Sequence, residues 1–290
     1  MKYAYYPGCS LTSTGIEYDQ STRAVAKHLN IQLVEIDDWN CCGATAAHNA
    51  SHLLSIALPA RSLALAEKLG LDVTVPCAAC FSRLKTAQVA VSSSSELRET
   101  IKDVINMEYN AKYDVKPLVD VLINDVGIKK IEEAVLQPLN GLKVASYYGC
   151  LLVRPQKITC FDDPENPQTM DNLVQALGGV PVEWSFKVEC CGAGHSTVKP
   201  DVGIQMVSSI LRDAKLNGAD CIITACPLCF INLDMRQAKV NKLEASELDL
   251  PILYFTQLMG IAFGLPANVL GIKKHFVNPM KLLNKKNISI

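Results

Sequence analysis

The sequence is short of several things. No apolar run reaches the ~18 residues of a membrane-spanning helix; the longest candidate, 250–265, is interrupted by Gln257, Gly260 and Gly264. The N-terminus offers no apolar stretch ending in a small-residue cleavage site, so no secretory leader is expected. Net charge is only −1, which gives no single-signed field to draw in nucleic acid or an anionic membrane. No G-x-G-x-x-G follows the first expected strand, and there is no ferredoxin-type run of closely spaced C-x-x-C repeats. Acidic residues stop at Asp249, while Lys273, Lys274, Lys281, Lys285 and Lys286 remain. That basic tail reads as a solvated end, with docking to an acidic partner surface as the sharper alternative. A soluble, cytoplasmic protein is expected.

What the chain has in excess is cysteine. Hydrophobic residues make up 49% and charged residues 20%, the balance of an ordinary globular protein. At 290 residues it is too large for a disulfide-stapled secreted domain, yet it carries 12 cysteines. In a reducing compartment, closely spaced thiols serve mainly to bind metal or to do redox chemistry.

Ten of the 12 fall into two aligned sets. The first is Cys9, the pair Cys41 and Cys42, then Cys77 and Cys80; the second is Cys150, the pair Cys190 and Cys191, then Cys226 and Cys229. Between the pair and the C-x-x-C lie 34 residues in both sets; between the lone cysteine and the pair lie 31 in one and 39 in the other. Flanking residues repeat too: Tyr5-Tyr6-Pro7-Gly8-Cys9 matches Tyr147-Tyr148-Gly149-Cys150, each pair continues as Cys-Cys-Gly-Ala, and each C-x-x-C runs into Phe81 or Phe230. The chain is an internal duplication.

Short apolar or β-branched runs precede the cysteines, at 2–6, 32–36, 72–75, 143–148, 180–186 and 221–224. Helical periodicity lies between them, over 16–29, 51–69, 168–177 and 201–217, with Gly70 and Gly218 placed as C-caps. Alternation of this kind predicts an α/β fold of two pseudo-symmetric halves, each a small parallel sheet with flanking helices. The cysteines then fall at the carboxyl ends of strands, the edge where open α/β sheets bind ligands. The expected division is a first cysteine-rich domain over 1–90, a helical linker over 91–140, and a second cysteine-rich domain with the basic tail over 141–290. Within the linker, Ser92–Ser95 start or cap a helix from Glu96 to about Tyr109, and a second helix runs over 116–136.

A structural zinc site takes four ligands in a tetrahedron. Each set here offers five thiols, two of them neighbours in sequence whose side chains diverge, which suits different metal atoms of a larger cluster better than one ion. The glycine after each pair lets backbone N–H groups approach an anionic cluster closely. A multi-iron iron–sulfur cluster is therefore expected in each half, with zinc as the rival.

The order Cys, Cys-Cys-Gly, Cys-x-x-Cys, present twice, resembles the cysteine-rich CCG domain. The strings Tyr-Tyr-Pro-Gly-Cys-Ser-Leu at 5–11, Glu17-Tyr18, Asp-Trp-Asn-Cys-Cys-Gly-Ala at 38–44 and Tyr-Phe-Thr-Gln-Leu at 254–258 are similar to those of the B subunits of heterodisulfide reductase from methanogenic archaea. The resemblance covers essentially the whole chain, and both cysteine motifs are complete. It implies two noncubane [4Fe-4S] clusters, one ligated by Cys9, Cys41, Cys42, Cys77 and Cys80, the other by Cys150, Cys190, Cys191, Cys226 and Cys229. It implies reduction of the coenzyme M–coenzyme B heterodisulfide to two thiols, with facing clusters each engaging one sulfur. The implied partners are the C-type subunit of that enzyme, with cubane iron–sulfur clusters, its flavin-containing A-type subunit, and a hydrogenase or formate dehydrogenase upstream. The alternative is a CCG subunit of an acceptor-linked dehydrogenase or of a thiol–fumarate reductase.

His195, four residues after Cys191, is the candidate for proton delivery, and His48 the weaker counterpart, equally readable as a structural histidine. Among cations near the cysteines that can meet anionic substrate groups, Arg154 leads by position, with Arg83, Lys187 and Lys199 behind it. Tyr5, Tyr6, Tyr147 and Tyr148 read as packing residues at strand ends before they read as channel or proton-supplying groups. Cys221 reads as a buried small hydrophobe, and Cys160 has no assigned role.

Overall fold

The β-branched and apolar runs form strands where they are expected, and each half builds the same sheet. A computed structural model describes residues 1–44, 46–245 and 247–290. The first half carries β1 (Lys2–Tyr5), β2 (Gln32–Glu35), β3 (Val73–Val75) and β4 (Val115–Pro117); the second carries β5 (Lys143–Tyr147), β6 (Val180–Pro181), β7 (Cys221–Thr224) and β8 (Ile252–Tyr254). Strand order is β2-β1-β3-β4 in one sheet and β6-β5-β7-β8 in the other, all pairs parallel. Helices cover both faces, so the central strands are apolar throughout: Val73 and Val75 in β3 and Ile222 and Ile223 in β7 are buried. Cys221 is fully buried at the start of β7, as a small hydrophobe would be.

The helices His52–Leu69 and Pro200–Leu216 end beside glycines at φ 68° and 80°, the left-handed geometry expected of Gly70 and Gly218. Ser94 caps Ser95–Ile105, its hydroxyl accepting the Leu97 N–H at 3.2 Å. The 91–140 segment is not helical throughout. It contributes β4, which pairs with β3 in register Val73 with Val115, and so completes the first sheet. The run expected over 180–186 pairs for only two residues: Pro181 has no N–H to donate, and Trp184 turns back to donate its indole N–H to Ser146 O at 3.2 Å. The basic tail packs against the second half through the helix Met280–Lys285 and an ion pair of Lys286 with Asp220 at 2.7 Å, while Lys273, Lys274, Lys281 and Lys285 stay exposed.

The halves are joined through side chains near the strand ends. Tyr18 of the helix Ile16–His28 stacks on Tyr254 at 4.0 Å between ring centres, and Tyr254 stacks on Phe230 at 4.2 Å. Ser21 and Thr256 share a buried hydrogen bond of 2.7 Å, and the Ala78 N–H donates to Ala225 O at 3.2 Å. This last bond ties the two C-x-x-C turns together. Among the described residues no helix is long and apolar enough to cross a membrane.

Candidate metal centre

Each half delivers its five thiols from the ends of three parallel strands. Cys9 follows β1, the Cys41–Cys42 pair follows β2, and Cys77 follows β3 as the residue before the helix Ala78–Ser93, with Cys80 in its first turn. Cys150, Cys190–Cys191, Cys226 and Cys229 stand likewise after β5, β6 and β7, the last two opening the helix Pro227–Met235.

The sulfurs of each set converge. Cys9 and Cys41 Sγ lie 3.7 Å apart, and Cys42 and Cys80 Sγ 3.4 Å. Cys80 also hydrogen-bonds Cys77. In the second half Cys150 meets Cys190, and Cys229 meets both Cys191 and Cys226. Cys77 and Cys226 act on one another across the junction, where the Ala78 N–H also donates to Ala225 O, so the two sets meet. All ten motif cysteines carry free thiols, as do Cys160 and Cys221.

The backbone around the sulfurs is matched as well. Gly8 and Gly149 sit at φ 72° and 65°, where a Cβ would stand 3.0 Å from Cys80 Sγ and 3.3 Å from Cys229 Sγ respectively. Only glycine lets the chain pass a cysteine sulfur this closely at positive φ. The Gly192 N–H donates to Cys190 Sγ at 3.4 Å, as the Gly43 N–H does to Cys41. Ala44 N–H serves Cys42, and the Leu228 and Cys229 N–H groups serve Cys226. Tyr6 and Tyr147 fix the pair loops from below, each hydroxyl donating to the carbonyl before the pair, Asn40 O at 2.7 Å and Glu189 O at 2.6 Å. That makes both tyrosines packing and anchoring residues.

The thiols share protons unevenly. Hydrogen bonds from Cys41 and Cys80 hold the Cys42 thiol down to about 4, with Ala44 N–H and the Arg83 guanidinium helping against burial. A hydrogen bond from Cys150 holds Cys190 down to about 6. The partners that keep their protons, Cys41, Cys80, Cys150 and Cys229, are pushed up, first by those same hydrogen bonds and then by burial. A metal that replaces the shared protons relieves this competition, since thiolates are its ligands. Among the described residues, no three His, Cys, Asp or Glu close around one point as a single ion requires. Five convergent thiols in each set, with backbone donors aimed at sulfur, make a donor set that fits a multi-iron, sulfide-containing group.

A cavity of about 660 Å³ opens at the junction. All five cysteines of the second set line it, and none of the first. Its remaining wall is mostly apolar, with His48 from the first half and His195 from the second. Both sequence-predicted histidines therefore reach one space. The basic candidates do not line it. Arg154 donates to Pro164 O at 2.9 Å and pairs with Glu165 at 2.9 Å. Lys187 is buried against Asp171 at 3.4 Å, and Arg83 donates to Ala44 O at 3.4 Å. Sequence reading missed the Cys77–Cys226 contact and the role of Asn232. The second had a signal: Asn232 stands three residues after Cys229, as Arg83 stands after Cys80.

The cysteine-rich domain family matches the chain at residues 3–85 and 144–234. The membrane anchor subunit of 8-methylmenaquinol:fumarate reductase from Wolinella succinogenes is 35% identical, over 97% of this chain and 99% of its own length. The B subunit of a ferredoxin:CoB-CoM heterodisulfide reductase from Methanosarcina mazei is 29% identical, over 98% of this chain and 96% of its own length. A crystal structure of a hypothetical protein from Helicobacter pylori shares the fold, with a TM-score of 0.75 at 13% identity; it covers 96% of this chain, and this chain spans about half of it (52%).

Proposed function

This chain belongs to the cysteine-rich domain family, and on that premise we propose that it is the iron–sulfur subunit of a heterodisulfide reductase, reducing the coenzyme M–coenzyme B disulfide to two thiols. The observation that carries the reading is the meeting of two matched five-thiol sets, through Cys77 and Cys226, beside one cavity. Cys9, Cys41, Cys42, Cys77 and Cys80 would hold one noncubane four-iron group, and Cys150, Cys190, Cys191, Cys226 and Cys229 the other. When bound, such groups supply one-electron transfers and an affinity for sulfur.

The half-reaction consumes one disulfide, two electrons and two protons and yields two thiols. The duplicated donor sets match the electron count. His195 and His48, which line the cavity from the two halves of the chain, supply or relay the protons, and the mostly apolar wall limits water around the reacting sulfurs. Electrons come from a partner carrying cubane clusters, in the manner of the reductase's C-type subunit, fed by its flavin-containing A-type subunit and a hydrogenase or formate dehydrogenase.

A second reading, a CCG subunit that passes electrons within a quinone- or acceptor-linked oxidoreductase, is favoured by the 35% identity to the membrane anchor subunit of 8-methylmenaquinol:fumarate reductase. Protein purified without oxygen should contain about eight iron and about eight sulfide per chain; stoichiometric zinc with little iron would end the iron–sulfur reading. With an artificial donor, turnover of the heterodisulfide supports the first reading. Electron exchange of the assembled complex with a menaquinol, without turnover of the heterodisulfide, supports the second.

A further inference from the structure

The cysteine sets are copies, but the side chains around them have diverged in charge. Three residues past the last cysteine of each C-x-x-C stand Arg83 and Asn232. They lie at equivalent places on the helices Ala78–Ser93 and Pro227–Met235, one turn from Cys80 and Cys229. Both reach the neighbouring cysteine-pair loop: Arg83 Nη2 donates to Ala44 O at 3.4 Å, and Asn232 Nδ2 to Cys191 O at 2.5 Å. Asn232 is fully engaged, its Oδ1 also accepting from Ser196 Oγ at 2.8 Å and Arg236 Nε at 2.5 Å. Arg83 Nε is buried and has no hydrogen-bond partner among the described residues.

A second position differs in the opposite sense. Before Cys41 stands neutral Asn40; before Cys190 stands Glu189, an exposed carboxylate adjacent in sequence to that cysteine. His195, four residues after the pair, is exposed, and Arg236 lies one side chain farther out, behind Asn232. Beside the pair loop the first set thus has the half-buried guanidinium of Arg83 where the second has the neutral amide of Asn232, and the buried Lys187 of the second half is paired with Asp171. The cavity makes the same distinction, since only the second set lines it.

We propose that Arg83 divides the labour between the two sets: the group held by Cys9, Cys41, Cys42, Cys77 and Cys80 is reduced at the higher potential and stores an electron, while the group of the second set, beside Glu189, is the stronger reductant and faces the substrate cavity. This rests on the iron–sulfur reading of both sets. An added electron makes an anionic cluster more negative, and a nearby partly desolvated cation stabilises that state more than a neutral amide does. One electron from each set completes the pair that a disulfide takes up with two protons.

The test is an EPR-monitored redox titration of the anaerobically purified full chain, with iron counted in every sample. Two separate midpoint potentials are expected. Arg83→Gln should lower the higher one and leave the other in place, Arg83→Lys should keep the higher one high, and Glu189→Gln, at an exposed site, should raise the lower one. If Arg83→Gln loses iron, Arg83→Lys and Glu189→Gln carry the test alone. Full iron with both potentials unmoved in Arg83→Gln, or both unmoved in Glu189→Gln, overturns this inference and leaves the iron–sulfur reading standing. Wild-type protein without iron overturns both.

Discussion

In the first half the helix after the C-x-x-C carries Arg83 and then Lys85; in the second the same two positions carry Asn232 and Asp234. Lys85 pairs with Asp114, just before β4, whereas the Asp234 carboxylate accepts the N–H groups of Phe276 at 2.7 Å and Val277 at 3.1 Å and clamps the tail. The ligand positions, the glycines that pass the sulfurs and the tyrosines beneath the pair loops have stayed alike. The supporting positions have changed charge. If each set holds an iron–sulfur group as proposed, the duplication has kept the geometry that would hold the metal and varied the charges around it, and such charges set potential without disturbing ligation.

The comparison breaks hardest at the ligands. Cys80→Ser and Cys229→Ser should each lose about half the iron, about four per chain, and should drop disulfide turnover to background. Their remaining EPR signals should differ. Cys80→Ser should leave the lower-potential signal, and Cys229→Ser the higher. Retention of full iron in either variant would remove that cysteine from the ligand set.

How much of this was legible in the sequence follows the same division. The ten cysteines were legible because duplication repeats their spacing and neighbours, and six strands because they are β-branched runs placed just before those cysteines. β4 and β8 were not: each is three residues long, beside Pro117 or Pro251, and β4 opens what reads as a helical stretch. Such short pairings are decided by the neighbouring strand rather than by local pattern. The 180–186 run was overread because an apolar stretch does not reveal where its backbone stops pairing. Neither the Cys77–Cys226 contact nor the cavity could be read from spacing, since both depend on how the halves pack. Arg154 and Lys187 were picked by nearness in sequence to a cysteine, and the fold spends both on local ion pairs with Glu165 and Asp171.

The next largest effect lies at the +3 positions. Asn232 is buried, and Asn232→Ala leaves Cys191 O without its donor and takes a partner from Ser196 Oγ, which keeps Gly192 O, and from the half-buried Arg236. Leaving buried groups unpaired should cost about 3 kcal/mol. Arg83→Ala gives up one long hydrogen bond and should cost about 1 kcal/mol or less. Urea unfolding of both variants under anaerobic conditions checks the ranking, and a reversed order would mean that Arg83 is the structural residue of the two.

At the +5 positions the halves should respond to pH with opposite sign. Burial pushes the Asp234 carboxyl up to about 6, against the pull of the Phe276 and Val277 N–H groups. A carboxyl raised above its unfolded value, ~3.9, contributes stability that is present below that value and lost as pH rises through about 6. For Asp114 burial also acts upward, but the Lys85 ion pair and the Val115 N–H outweigh it, so its carboxyl is lowered. Its contribution is present above the unfolded value and lost as pH falls through the folded one. His275, lowered by burial to about 4, loses its contribution as pH falls from its unfolded value toward 4 and so opposes Asp234 in the same window. Comparing wild type with Asp234→Asn cancels His275. The stability difference between the two should fall by on the order of 2 kcal/mol as pH rises from about 4 to about 6.5. A flat difference would mean that the tail clamp does not hold Asp234 away from water.

The smallest effect probes what the halves have in common. Gly8→Ala and Gly149→Ala both place a Cβ at positive φ, which costs roughly 1–2 kcal/mol in either half. At Gly8 the new carbon meets Cys80 Sγ at 3.0 Å and Tyr6 Cε1 at 3.3 Å; at Gly149 it meets Cys229 Sγ at 3.3 Å and Tyr147 Cε1 at 3.5 Å. The first sulfur must give way by a few tenths of an ångström more than the second. Gly8→Ala should therefore be the less stable by some tenths of a kcal/mol, about the scale of one off-rotamer side chain. It should also be the first to lose iron when chelator is titrated in without oxygen. Equal costs and equal iron retention would mean that the sulfur moves freely in both halves, and that glycine is kept at these two positions by the backbone angle alone.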